Sequence, residues 1–196
     1  MYKLEQKGLL PEQMLAVLPV FMAKIERLAD LLGLALADYQ ADHIALRVND
    51  WETAEQLHQA WLAYGTEWST NEINGRPIVV IGFDQPLSCG PWQIEALELP
   101  YPGDKAYPQE GWEHVEFVIP SPAADTEALK ITLDEAFPQL AGQWDELAGK
   151  GIKVKASSPS GEKERLSNPT YAFKHDGVCI KLHPHSLKAV IESEGE

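Results

Sequence analysis

Cysteine is scarce in this chain: Cys89 and Cys179 are the only two. Two distant cysteines make neither a disulfide framework nor a zinc-finger spacing, and a reducing cytoplasm suits them best. Positive charge is scarce as well. Sixteen Lys and Arg stand against thirty Asp and Glu, a formal net charge of −14. A surface this acidic repels phosphate backbones, so no nucleic-acid partner is expected. Only the stretch 150–165 leans basic, and it also carries Glu162 and Glu164. Long apolar runs are missing too. The longest, Met14 to Phe21, contains Pro19 and soon meets Lys24, Glu26 and Arg27. It is too short and too interrupted to span a bilayer. Glu5 and Glu12 precede it and no clean small-residue cleavage site follows, so a secretory leader is not expected either. Nucleotide-binding and nucleophile motifs are absent: the chain has no G-x-G-x-x-G, P-loop, G-x-S-x-G, H-E-x-x-H or C-x-x-C. With 44% hydrophobic and 23% charged residues, what remains is a globular cytoplasmic protein of one domain or two small modules.

What the chain does have is periodicity. Met14, Leu18, Phe21, Ile25, Leu28 and Leu32 recur at spacings of three and four, which predicts a helix over 11–32. Pro11 suits its first turn and Gly33 its C-terminal cap. From position 41 strands alternate with helices. Strands are expected at Asp42 to Val48, Thr66 to Ile73, Arg76 to Phe83 and Pro91 to Leu99, with a helix over Trp51 to Tyr64. Asn74-Gly75 is a strong turn signal between the second and third strands. A loop rich in Pro, Gly and Tyr, 100–111, then divides the chain. After it the order repeats: a strand over Glu113 to Ile119, a helix over Ala123 to Ala136, then strands over Gly151 to Lys155, Asn168 to Lys174 and Val178 to His183. The tail from Glu192 is expected to fray.

The internal repeat is the most informative feature. Each half opens on the same phrase, an acid, a His, an aliphatic, any residue and a large apolar one: Asp42-His43-Ile44-Ala45-Leu46 and Glu113-His114-Val115-Glu116-Phe117. The expected fold is therefore α+β: two βαβββ modules forming one curled mixed sheet around a central cavity, plus an N-terminal helix. The expected boundaries are 1–40 for the helical extension, 41–102 and 103–186 for the modules, and 187–196 for the C-terminal tail.

Alternation along each strand sorts side chains into faces. Ile44, Leu46 and Val48 oppose His43, Ala45 and Arg47. Val115, Phe117 and Ile119 oppose His114, Glu116 and Val118. Val178, Ile180 and Leu182 oppose Cys179, Lys181 and His183. Glu98 aligns with Ile94 and Ala96. An inner face carrying two imidazoles and a carboxylate has the chemistry of a divalent transition-metal site, suited to Zn, Ni, Mn or Fe(II). Open positions on such an ion bind and polarise water or substrate. Glu116 is a candidate partner or general base, and Arg47 a candidate fork for a substrate carboxylate or phosphate. Arg76, Lys163 and Arg165 come from stretches that could cover a cavity mouth. His58 and His175 are expected to face solvent.

The order strand, helix, three strands, twice over, resembles the vicinal oxygen chelate superfamily, which includes glyoxalase I, extradiol dioxygenases and the bleomycin-resistance proteins. The resemblance covers residues 41–184 and is carried by DHIALRVND, ALELP, EHVEFVI and DGVCIKL. Over nearly the whole chain ADHIALR, INGRPI, YPQEGWEHVEFVIP, SSPSGEKERLSNPT and IKLHPHS resemble the YecM family of bacterial proteins. The superfamily's ligand positions fall on His43, Glu98 and His114, and the fourth, usually Glu, falls on Lys181. A protonated lysine donates hydrogen bonds and cannot coordinate a cation. Three ligands with water, His183 as the fourth, or Lys181 paired with Glu98 in place of any metal are the alternatives. The resemblance implies a metal-dependent isomerase, lyase or oxygenase acting on a small oxygen-rich molecule, with Glu116 or Lys181 moving the proton. The rival is a metal-free small-molecule binder of bleomycin-resistance type, with Trp92 and Trp112 lining its pocket. A monomer or a homodimer suits either reading.

Overall fold

The computed structural model describes residues 2–73, 75–158 and 166–195, and at Tyr2 the backbone alone. The helices are α1 (Tyr2–Lys7), α2 (Pro11–Leu32), α3 (Trp51–Trp61), α4 (Thr126–Ala136), α5 (Pro138–Ala141) and α6 (Leu187–Glu194). The strands are β1 (Gln40–Arg47), β2 (Gly65–Ile73), β3 (Arg76–Cys89), β4 (Trp92–Pro100), β5 (Gly111–Val118), β6 (Lys153–Ser157), β7 (Thr170–His175) and β8 (Val178–His183). The chain forms two compact units. One comprises Met1–Met22 with His43–Glu113, the other Ala23–Asp42 with His114–Glu196, so the division runs through α2, β1 and β5.

Each unit carries one turn of the repeat. In the first, β2, β3, β4 and β1 lie in that order; β2–β3 and β3–β4 pair antiparallel, and β1 pairs parallel with β4. In the second, β6, β7, β8 and β5 follow the same order, with β5 parallel to β8. The fold is α+β with mixed parallel and antiparallel pairing, and the βαβββ modules read from the sequence are present in both units. A parallel pair needs a long crossover, and α3 and α4 each begin one. Asp50 and Asp125 start these helices, their side chains accepting from Thr53 N and Ala128 N. The apolar faces lie in the core. Ile44 and Leu46 of β1, Leu57 and Trp61 of α3, Val115 and Phe117 of β5, and Leu129 and Leu133 of α4 are all fully buried.

The stripe on α2 is buried throughout, and Pro19 inside the helix is exposed. β3 runs six residues past the predicted Phe83. Its register shifts between Gly82 and Leu87, and that irregularity accommodates Pro86, which has no N–H to give to a ladder. Three short helices, α1, α5 and α6, were not predicted. Six residues are too few for α1 to form alone, and Lys3 and Lys7 hold it to Asp50 at 3.3 and 3.1 Å. The C-terminal tail is a second correction: 187–194 is helical, capped by Ser186 and anchored by buried Val190. Asn74 of the predicted turn lies outside the described residues, while Gly75 has φ +76, the left-handed value a tight hairpin demands. Among the described residues no helix is long and apolar enough to cross a membrane.

Candidate metal-ligating residues

Register settles which side chains share a face. In the first unit His43 lies opposite Ala96, and Ala45 opposite Glu98. His43, Ala45, Ala96 and Glu98 are therefore on one side, as expected. His43 Nε2 stands 3.4 Å from Glu98 Oε2, with the imidazole 2% exposed and the carboxylate 16%. Arg47, on the same face of β1, donates from Nε to Glu113 Oε2 at 2.8 Å. The Tyr107 ring centroid is 5.5 Å from its guanidinium carbon. Burial opposes the arginine's charge, but Glu113, Glu98 and Tyr107 outweigh it and raise the pKa. Among the described residues no hydrogen bond is made by the two terminal nitrogens of Arg47.

In the second unit His114 lies opposite Cys179, Glu116 opposite Lys181, and Val118 opposite His183. The fully buried His114 meets Glu116 Oε2 from Nε2 at 3.0 Å. The other oxygen, Oε1, is 3.9 Å from His183 Nε2. His183 Nε2 is also 3.7 Å from Asp42 Oδ2, which accepts from Leu187 N at 2.8 Å. Asn168 Nδ2 meets His183 Nδ1 at 2.7 Å. Cys179 is buried and Lys181 half-buried. An ionisable group is buried at small cost only when paired, and each imidazole here has a carboxylate within 4 Å.

The two modules can be overlaid on their own registers. Each histidine is the fourth residue of an eight-residue strand, and two residues on lies a position paired with the parallel neighbour. In the first unit that pair is Ala45 and Glu98. In the second it is Glu116 and Lys181. Glu116 thus stands on the neighbouring strand, directly beside Lys181 in register. Buried imidazole and carboxylate oxygen are a fitting donor set for a divalent transition ion.

Other expectations fare differently. Trp112 packs its ring on Phe21 and Trp61, and its Nε1 donates to Met14 O at 2.9 Å. Trp92 is buried on β4. His58 does not face solvent; it contacts Glu67 through Nε2 and lies 3.3 Å from the Tyr101 hydroxyl through Nδ1. His175 ends β7 with Nδ1 at 3.2 Å from Gly151 O. Arg76 donates to Tyr101 O at 3.4 Å. Lys163 and Arg165 lie outside the described residues. Asp42 and Asn168 escaped the sequence reading as site residues, although Asp42 is the acid that opens the repeated phrase. Trp68 escaped it too. The register break between Glu67 and Ser69 lays its ring over Gly82, where an added Cβ would come within 2.0 Å of it. Gly82 pairs with Ala96, so this ring covers the His43–Glu98 face of the first unit. A hollow of about 590 Å³ in the second unit is lined by Trp144, Leu147, Ile152 and Val154, without a histidine, cysteine or carboxylate. Lys153 is the one charged residue in its lining.

Residues 11–194 match the family described as YecM protein. Protein YecM of Escherichia coli (strain K12) is 40% identical over 179 residues, 90% of each chain. An uncharacterised protein of Haemophilus influenzae is 35% identical over 178 residues, 88% of this chain and 89% of that one. The solved structure of Protein EC4020 superposes with a TM-score of 0.76 at 36% identity, covering 95% of this chain and 93% of that one. The repeated βαβββ order is the arrangement that the vicinal oxygen chelate resemblance implies. The chain belongs to the YecM family.

Proposed function

We propose that this chain binds a divalent transition metal, the candidate donors being His43 and Glu98 within the first unit and, separately, His114 and Glu116 within the second. The observation that carries this reading is the register match. Two modules place a histidine at the same strand position, and a carboxylate meets each histidine at 3.4 and 3.0 Å. A bound ion supplies Lewis acidity toward a small oxygen-rich substrate. Arg47 orients that substrate: its Nε is fixed by Glu113, and its two terminal nitrogens present a fork that matches a carboxylate or phosphate. Lys181, beside Glu116 in register, moves the proton. The reaction class this suits is that of a metal-dependent isomerase, lyase or oxygenase, by analogy with the superfamily.

A specific observation supports a second reading. Lys181 stands opposite Glu116, and a cation at that position competes with a metal for the carboxylate. The protein would then bind a small molecule without metal. Elemental analysis of the purified chain beside His43→Ala and His114→Ala separates the two. The proposal expects bound metal in the parent and less of it in the variant whose histidine is a donor. No metal after incubation with Zn, Ni, Mn or Fe(II) would overturn it and leave the metal-free binder.

A further inference from the structure

We propose that His183 is a positioning residue and not a ligand: Asn168 fixes its imidazole with the proton on Nε2, and that proton is presented to the carboxylate of Glu116. The inference about Glu116 rests on the metal-binding reading; the inference about the proton does not.

The argument starts at the backbone, where donor and acceptor are never ambiguous. His185 N donates to Asn168 Oδ1 at 3.0 Å, and Asn168 Nδ2 donates to His185 O at 3.2 Å. Rotating the amide by half a turn would set donor against donor and acceptor against acceptor. The amide orientation is thereby fixed by two main-chain contacts. Asn168 Nδ2 lies 2.7 Å from His183 Nδ1 and has a second proton to give, so Nδ1 must accept. An accepting Nδ1 in a neutral imidazole puts the proton on Nε2.

That proton faces two carboxylates, Asp42 at 3.7 Å and Glu116 at 3.9 Å. Asp42 is already engaged by the first N–H of α6. Glu116 offers Oε1 to this proton while Oε2 faces His114. The imidazole thus has no lone pair to give: Nδ1 spends its own on Asn168, and Nε2 carries hydrogen. Coordination through Nε2 would need a proton on Nδ1, aimed at the Asn168 N–H. Groups that orient a ligand through a hydrogen bond tune its affinity by about 10–100-fold. His183 Nε2 stands 3.9 Å from Glu116 Oε1, too far for a direct hydrogen bond, so it acts on that carboxylate through the field of its N–H, while Asn168 acts on His183 through a bond at 2.7 Å.

The test begins with the parent protein, metal-free, labelled with ¹⁵N in its histidine rings. The expected spectrum assigns a pyrrole-like Nε2 and a pyridine-like Nδ1 to His183; the reverse assignment overturns the proposal. In Asn168→Asp the facing atom becomes an acceptor, and the proton is expected to move to Nδ1. Zinc titration supplies the second arm. His183→Gln keeps an N–H near the Nε2 position and is expected to bind zinc within a few-fold of the parent. His183→Ala is expected to weaken zinc about 10–100-fold at unchanged stoichiometry. Loss of the zinc equivalent in both variants would make His183 a ligand and sink the idea. A parent that binds no metal would overturn the metal-binding reading, and the ¹⁵N spectrum would still judge the proton's place.

Discussion

Asp50 shows how much one carboxylate carries in this chain. It accepts from Thr53 N at 2.8 Å, from the Thr53 hydroxyl, and from Lys7 and Lys3. Burial pushes its pKa up, but the bonds from Thr53, Lys7 and Lys3 win and hold it far below the ordinary carboxylate range. The sign follows. A lowered folded pKa gives stability that is fully present above the unfolded value near 4 and is lost as pH falls toward the folded one. Asp50→Asn keeps a capping oxygen and loses the charge, so its urea midpoint should match the parent's most closely at low pH and fall behind it above about pH 4. Asp50→Ala loses the cap as well and should cost about 0.5–2 kcal/mol at any pH. Equal pH profiles for parent and Asp50→Asn would show that the charge contributes nothing. Lys181 offers a second residue-scale prediction. Lys181→Glu removes a cation beside Glu116 and restores the acid of the superfamily pattern, so zinc affinity should rise by about tenfold or more. Unchanged affinity in a calorimetric titration would place Lys181 too far from the ion to matter. That His43 shares a face with Ala45, and His114 with Glu116, followed from alternation along one strand; the pairing of Ala45 with Glu98 needed the register of two strands. The amide that sets the His183 proton followed from neither, because Asn168 sits fifteen residues away and meets the ring only after β7 and β8 pair.

The elements divide by what holds them. α2 was readable residue by residue, because its stripe, its first-turn proline and its terminal glycine all agree. α1 and α6 were not, since each is short and is held by a partner distant in sequence. Asp42 is the partner for α6: it is 1% exposed and takes the Leu187 N–H at 2.8 Å. Asp42→Ala should free the helix and leave that part-buried donor without its acceptor, at about 1 kcal/mol. Hydrogen exchange reads this directly, with faster exchange over 187–190 in the variant and little change in α4. Uniform acceleration everywhere would instead mean that Asp42 supports the whole unit. The loop 101–110 obeys the same logic. Asn49 bonds both ways with the Tyr107 backbone, at 2.9 and 2.7 Å, which places the Tyr107 ring beside Arg47. Turn residues announced a loop there, but nothing in them announced what it is tied to. Asn49→Ala should make the 101–110 backbone more sensitive to protease while leaving the midpoint of global unfolding within about 1 kcal/mol, since the bonds lost are exposed.

At the scale of the whole molecule the repeat made the architecture legible, because one βαβββ order read twice prunes the topologies to very few. Net charge acts at this scale too, and two electrostatic effects oppose each other. The chain holds exposed pairs such as Lys3–Asp50 and Lys3–Glu52, which salt weakens. It also carries a formal −14, and self-repulsion destabilises any compact state. Exposed pairs contribute about 0–1 kcal/mol each. Repulsion among fourteen excess negative charges reaches across the molecule at low ionic strength, where the screening length is about 30 Å at 0.01 M, and collapses near 8 Å at 0.15 M. Repulsion should therefore dominate. Raising sodium chloride from about 0.01 to 0.15 M should increase the thermal midpoint by a few degrees, most of it gained in that first step. Sodium chloride is the right salt for this, because sulfate would add a separate stabilising effect through its exclusion from the surface. A midpoint that falls over the same range would mean that the ion pairs outweigh the net charge, and that the acidic residues are placed to attract their neighbours more than to repel one another.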